Sequence, residues 1–544
     1  MRKHGRGHLL AAALIILICL FGHLGAIGLV GPDEPRYASI ARAMAATGDW
    51  VTPRLYGQPW FEKPILYYWA GAMGFRLHLP DEWAARLPSA FAALAAAIAI
   101  GWLGWKHYGH DGDPAVSPVL IAPLLFSTSV GAIGFARAAG PDMLFAASLT
   151  LAMAAAASVL LPSCVLQNTN RSSPGDTRSG SAIVALFGIF LGLAVLAKGP
   201  AGIILAGGAI GIWAIATQQC KAAVRLAHPV GIASFCIVAL PWYVLCALRN
   251  PEFIRVFLVE HNFQRYLTPV FQHRQPFWFF APIFLLALFP WTALLFPAAM
   301  EALRLRREKS WSNSPGLFFA CWTFFPLLFF SVSQSKLPGY ILPAVPAAAL
   351  LLGTSVSREM RAASPSGRWG LSAVGATWIV VGATARWTVR LPGGAVDDLQ
   401  NTFFYCAMIA IAAGCMITAL AFIRMRAALG CSLLLVLFFV EIAGLRLLPA
   451  LDPSISARRH GETLRNDRRL DRLFTFELQR SWSYGLAFYL NRQIPEWSPS
   501  DPEGALVLTT PAGFEQLKRL GRFHGTLEEE YVGVLYVPVA PAPH

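Results

Sequence analysis

The 544-residue chain is 56% apolar and only 14% charged, with a mean hydropathy of +0.51 and a formal net charge of +14. A soluble chain carries about a quarter charged residues, so a wholly water-soluble enzyme is excluded, and no segment reads as a nucleic-acid-binding module. Charge is gathered at one end: 23 of the 96 residues from Pro449 to His544 are Lys, Arg, Asp or Glu, against 51 of the 448 before them. That division predicts a membrane body over 1–448 and a small soluble domain over 449–544. The positive surplus belongs to the membrane body, where it reports topology before it reports any acidic partner.

In chain order, Arg2-Lys3-His4-Gly5-Arg6 precedes an apolar run from His8 to Val30. The run is too long for a signal peptide and lacks a clear small-x-small cleavage site, so it predicts an uncleaved first span with its basic end inside. Runs near the ~20 residues that cross a bilayer recur at about 9–30, 84–105, 115–134, 143–161, 181–197, 200–217, 228–248, 277–299, 314–333, 338–356, 369–386, 402–422 and 427–448, which makes thirteen. An odd number puts the C-terminal domain on the face opposite the N-terminus. The segments then left inside carry 17 Lys and Arg, including Arg304-Leu305-Arg306-Arg307, as the positive-inside bias requires. A fourteenth span at Pro64–Leu79 would turn the basic loops outward. That stretch is short, carries Arg76 and His78, and is predicted to be an interfacial helix of the first outer loop, 31–83.

The nine cysteines include no CxxC pair, which argues against a disulfide framework or a thiolate zinc site. At the C-terminus, strand-like runs at Leu473–Leu478, Ala505–Thr509 and Tyr531–Val537 alternate with helical stretches at Trp482–Leu490 and Pro511–Leu520. They predict a small α/β domain with no chemistry that its residues announce.

The informative residues share one side. Asp33, Glu34, Arg36, Glu62, Lys63, Arg137, Asp142, Lys198, Glu260, His261, Arg265, Lys336 and Tyr340 all map to outer loops or outer span ends. Basic residues there run against the positive-inside bias, and a shared anionic ligand at the outer interface is the simplest reason.

Each has a plainer reading. Asp33 or Glu34 suits the N-cap of a helix with Pro35 in its first turn and Gly48 as its stop, and Tyr37, Ile40, Ala41 and Met44 mark a face able to lie on the membrane. The functional alternative is a carboxylate at a lipid-facing site, acting as base or organising the donor. Glu62-Lys63 reads as a neutral surface pair or as a phosphate contact at headgroup depth, with Tyr67-Tyr68-Trp69 as an aromatic belt. Arg137 and Asp142 flank a tight turn and are placed to pair with each other. Lys198 reads as a snorkelling anchor, but Lys336, near Tyr340, and Arg137 make three basic turns on the wrong face. His261 and Arg265 share a helical face, and Glu62 with His261 invites a metal, on two ligands far apart in sequence.

Taken in order, Asp33-Glu34-x-Arg36-Tyr37, Phe61-Glu62-Lys63-Pro64, Ala136-Arg137-x-x-x-Pro141-Asp142, Lys198-Gly199-Pro200, His261-Asn262-Phe263-x-Arg265 and Lys336-Leu337-Pro338-x-Tyr340 form a set. The set resembles the bacterial branch of the protein O-mannosyltransferase superfamily, membrane glycosyltransferases of the GT-C fold, and within it the 4-amino-4-deoxy-L-arabinose lipid A transferases. The resemblance implies about thirteen transmembrane helices in the inner membrane and transfer of a sugar from an undecaprenyl-phosphate carrier at the periplasmic face. The acceptor is lipid A or another envelope molecule; a hexose moved to a protein, polysaccharide or other lipid is the alternative. Asp33 matches the family's first-loop acid. Lys63, Arg265 and Tyr340 match positions that hold the carrier phosphate, and Glu62 with His261 match a divalent-metal site. A transporter is the competing class. It predicts ionisable residues near the bilayer midplane on paired repeats, whereas the polar residues here gather at one interface and no repeat is visible.

Overall fold

The computed structural model describes residues 3–109, 113–163, 177–264, 275–307, 314–388, 396–465, 470–498, 506–520, 529–531 and 534–538. The chain forms two compact units. One comprises Met1–Gly22, Phe61–Tyr67 and Pro88–Ile442, the other His23–Trp60, Tyr68–Leu87 and Ala443–His544. Most of the first outer loop thus shares a unit with the C-terminal segment.

The chain is a multi-pass membrane protein. Among the described residues eight helices are long and apolar enough to cross a bilayer: Asp81–Tyr108, Pro141–Leu160, Gly180–Lys198, Pro229–Arg249, Pro315–Val332, Pro338–Ala362, Leu399–Ile423 and Met425–Ile455. Two bent pairs, Pro118–Ser127 with Val130–Ala136 and Phe277–Ala287 with Trp291–Arg307, bring the number to ten. Gly7–Phe21 and Ala201–Thr217 are apolar but shorter, and Pro365–Thr388 is helical on a less apolar sequence. Each of the thirteen expected runs therefore contains helix, the first only as far as Phe21, and among the described residues eight to ten have the length and composition of a span. Pro64–Leu79 holds an 11-residue helix, Leu66–Arg76, too short to cross.

The two bent pairs, at 63° and 105°, meet at their breaks. The Val130 N–H donates to the Phe289 carbonyl at 2.9 Å, and the Trp291 indole N–H donates to the Thr128 hydroxyl at 3.0 Å. Ser129 caps the second half-helix by accepting from the Ala132 N–H. A broken helix in lipid is tolerated only where its freed polar groups find partners, and here each break supplies the other's. Elsewhere helices approach through small residues. A Cβ at Gly188 would overlap the Gly231 carbonyl oxygen of helix Pro229–Arg249, and one at Gly375 would stand 2.6 Å from the Gly414 carbonyl oxygen.

In the second unit, strands β1 (Arg54–Leu55) and β2 (Gln58–Pro59) make a short hairpin. Strands β3 (Leu473–Phe476), β4 (Leu506–Thr509), β5 (Glu529–Tyr531) and β6 (Val534–Pro538) form a sheet of order β3-β4-β6-β5. β3 and β4 run parallel, with Leu473 opposite Leu506, and a parallel pair needs a crossover; helix Arg480–Tyr489 lies in that connection. All four residues of central β4 are buried. Val507 and Val537 pack with Trp497, Phe514 and Leu517, the last two from helix Pro511–Arg519.

Candidate active site

Asp33 and Glu34 open helix Asp33–Thr47, which ends at Gly48 in the left-handed conformation with its N–H on the Met44 carbonyl. The N-cap is Pro32 and no side chain caps the helix, so the expected capping role of Asp33 or Glu34 is corrected. The face of Tyr37, Ile40, Ala41 and Met44 is buried within the protein rather than laid on lipid. Tyr37 meets Tyr68 edge-on, with ring centroids 6.2 Å apart, and Gly71 admits Ala41 at close range.

The two adjacent carboxylates face different surroundings. Glu34 is buried, accepts from the Val30 N–H at 2.9 Å, and pairs with Arg86 at 2.7 Å. Arg86 also donates to the carbonyls of Leu24, Ile27 and Gly28, each at 2.7 Å. Glu34 is thereby engaged in holding the turn that leads into the helix. The Asp33 side chain is 57% exposed and pairs with Arg36, whose own side chain is 12% exposed. Asp33 is thus the member of the pair open to a reactant.

Arg36 lies among rings. Its guanidinium carbon is 5.4 Å from the Tyr37 centroid, 5.5 Å from Trp60 and 5.6 Å from Tyr484, inside the range of cation–π attraction. Tyr56 is close by. Burial pushes its hydroxyl pKa up and Tyr484 adds to the rise, while Arg36 works the other way.

In the membrane unit, Lys198 pairs with Asp142. The Lys198 ammonium also stands 4.8 Å from the Tyr340 ring centroid and 5.6 Å from Phe145. Asp142, Lys198 and Tyr340 are therefore one group, drawn from three segments. A Cβ at Gly339 would come 3.1 Å from an Asp142 oxygen, so glycine lets the Lys336–Tyr340 turn approach. The expected pairing of Arg137 with Asp142 is corrected: Arg137 donates to the Ile18 carbonyl at 3.2 Å, because its turn directs the two side chains to different neighbours. Lys336 is buried, and its ammonium donates to the carbonyls of Gln275 at 3.1 Å and Ser333 at 2.5 Å. Burial pushes its pKa down.

Phe61, just before Glu62 and Lys63, packs on Phe253 at 5.2 Å, and Phe253 stacks on Phe257 at 5.6 Å. Phe257 belongs to a π-helix, Arg255–Gln264, that carries Glu260 and His261. Its wider turn brings Arg255 and Glu260, five apart, to 2.8 Å. Arg265, expected to share a helical face with His261, lies outside the described residues. Glu62 and His261 are the metal donors that the family implies. Among the described residues no three His, Cys, Asp or Glu side chains gather to hold an ion.

Comparison with known proteins fits this architecture. Residues 8–257 match the family described as dolichyl-phosphate-mannose-protein mannosyltransferase. The undecaprenyl phosphate-alpha-4-amino-4-deoxy-L-arabinose arabinosyl transferase of Edwardsiella ictaluri is 31% identical over 327 residues, 60% of this chain and 55% of that protein. Several such relatives are spanned by the chain over little more than half of their length. The corresponding transferase 1 of Sodalis glossinidius is 30% identical over 465 residues, covering 84% of this chain and 78% of that protein. The chain belongs to this aminoarabinosyl transferase family. The crystal structure of ArnT from Cupriavidus metallidurans bound to undecaprenyl phosphate superposes with a TM-score of 0.78 over 98% of both chains at 20% identity, and the fold is thus the GT-C fold. The ordered motifs had pointed to the same superfamily.

Some residues of the site were not singled out from sequence. Arg86 carried a signal, as a charge near the start of an apolar run. Tyr484 carried none: more than 440 residues separate it from Arg36, and it reads as an ordinary helical tyrosine.

Proposed function

We propose that the chain is an inner-membrane glycosyltransferase that moves a sugar from undecaprenyl phosphate to an acceptor at the periplasmic face, with aminoarabinose as the sugar and a lipid A phosphate as the acceptor. The observation that carries this reading is the relationship to the Sodalis glossinidius transferase, which extends over 84% of the chain and 78% of that protein.

In this reading an acceptor oxygen attacks the anomeric carbon, the bond from that carbon to the carrier phosphate breaks, and undecaprenyl phosphate leaves with the electron pair. Attack from the opposite face inverts the anomeric centre. Negative charge grows on the departing phosphate, so cations at that position bind the transition state better than the ground state. Lys63, Arg265 and Lys336 are assigned to this task, with Arg137, His261, Glu62 and the Asp142–Lys198–Tyr340 group lining the donor. A lysine buried on two backbone carbonyls, as Lys336 is, is held ready for an anion without reorganising. Asp33, the exposed carboxylate beside Arg36, is the acid of the first loop. A hydroxyl acceptor would give its proton to Asp33. A lipid A phosphate is already anionic, and Asp33 then orients the sugar or its amine. Glu34 supports that helix from its pair with Arg86.

The match of residues 8–257 to the protein mannosyltransferase family favours one second reading, the same reaction with a hexose and a protein acceptor. Mass spectrometry of lipid A, other envelope lipids and surface glycans separates the two, comparing cells carrying the wild-type chain with cells carrying Asp33→Asn at equal membrane levels. A pentosamine on lipid A phosphates that the variant lacks is the expected result. A changed sugar elsewhere would move the acceptor, and no difference anywhere would discard the transferase reading of Asp33.

A further inference from the structure

The C-terminal segment reaches Arg36 through the ring of Tyr484. Tyr484, on helix Arg480–Tyr489, is the third aromatic around the Arg36 guanidinium, after Tyr37 and Trp60 from the first-loop region. We propose that Tyr484 is a positioning residue for the transfer, closing an aromatic cage that holds Arg36 against Asp33. The proposal rests on the reading of Asp33 given above.

The physical case begins with Arg36. A free arginine loses about 2 kcal/mol of rotamer entropy when fixed, and an exposed ion pair with an i,i+3 partner recovers little of it. Three rings within 5.6 Å change that balance: they attract the guanidinium and leave its side chain only 12% exposed while it pairs with Asp33. The Asp33 carboxylate, 57% exposed, is then oriented by a neighbour that cannot wander.

The Tyr484 helix is itself anchored to the same region. Arg42, from helix Asp33–Thr47, donates to the Phe488 carbonyl at 2.9 Å and lies 3.6 Å over the Phe488 ring. The Tyr489 hydroxyl donates to Glu82 and accepts from the Leu29 N–H, both at 2.8 Å. Asp452 accepts from the Gly28 N–H at 2.7 Å and is paired with Arg458. One stretch of chain therefore grips the backbone ahead of Asp33 and also closes the cage beside it. This gives the C-terminal segment a task in the reaction, one that its own residues, read in sequence, did not suggest.

The test uses the full-length chain in proteoliposomes, with undecaprenyl-phosphate-linked aminoarabinose as donor and lipid A as acceptor. Tyr484→Ala should lower kcat about three- to thirtyfold, the range from an exposed to a desolvated cation–π contact, with the KM for the donor little changed because the ring acts on Arg36 and the carrier phosphate is assigned to other residues. Tyr484→Phe, which keeps the ring, should restore the rate. In an Arg36→Ala background, Tyr484→Ala should cost nothing more, because the ring acts through the arginine; a merely structural role would lower activity again. Full activity in Tyr484→Ala, a Tyr484→Phe variant as poor as alanine, or additive losses, each with Asp33→Asn inactive, overturn the positioning role alone. An Asp33→Asn variant as active as wild type, or a wild type without turnover, overturns the function proposed above and this inference with it.

Discussion

Arg86 is the residue whose loss should be felt most widely. It is 2% exposed and donates at 2.7 Å to three carbonyls, Leu24, Ile27 and Gly28, and to the Glu34 carboxylate. Arg86→Leu deletes all four bonds and strands a buried anion. Removing one partner of a buried pair costs about 3–5 kcal/mol, and each carbonyl that water does not reach adds about 1–3 kcal/mol. The ion-pair loss alone is a large part of a domain's total stability of roughly 5–15 kcal/mol. In a unit of this size it corresponds to a melting temperature lower by roughly 6–20 °C. Thermal unfolding of the purified chain in detergent checks the number. Glu34→Gln should fall by less, because the amide oxygen still accepts from Val30 and Arg86 and the three carbonyls stay on the guanidinium, although its counter-charge is lost. The double variant Glu34→Leu/Arg86→Leu should recover part of the loss, since no charge is stranded, but not all, since the three carbonyls remain. A melting temperature for Arg86→Leu within error of wild type would refute this account of the turn.

Two further outcomes are expected. His460 is 3% exposed, meets Trp482 edge-on at 5.1 Å, and is held by burial, with help from Arg459, at a pKa of about 4 against an ordinary 6.5. Because the folded value is the lower one, the unfolded chain takes up the proton first as pH falls. Stability is therefore complete above about pH 6.5 and is lost towards pH 4 at up to about 1.4 kcal/mol per pH unit. His460→Gln should flatten the melting temperature against pH in that window, and an unchanged slope would show that another group is responsible. At the proposed carrier site, Lys63→Ala should weaken binding of undecaprenyl phosphate by about ten- to a hundredfold, the worth of one hydrogen bond to a charged group. Equal affinity in a vesicle-based binding measurement would remove Lys63 from the phosphate.

The helical runs and the ordered motifs were legible because the bilayer is an unforgiving solvent. Backbone polar groups in lipid must be satisfied within the segment, so an apolar stretch of the right length announces its helix. The stop at Gly48, two of the helices and most of the strands near the C-terminus were legible for a similar reason, since capping and alternation are local. The breaks near Thr128 and Phe289 were not, because what makes each tolerable is a hydrogen bond supplied by the other.

Partner choice was likewise beyond the sequence. Asp142 lies five residues from Arg137 but pairs with Lys198, 56 residues away. Two neighbouring carboxylates, Asp33 and Glu34, differ in everything that bears on chemistry, one exposed beside Arg36 and the other buried on Arg86. Residue type and spacing determined that this is a polytopic membrane chain, and they predict that its ionisable groups gather at one interface. Only the tertiary structure decided which of those groups are spent on holding the backbone and which are left facing outward, because charge pairing and burial depend on distance in space, which separation along the chain does not report.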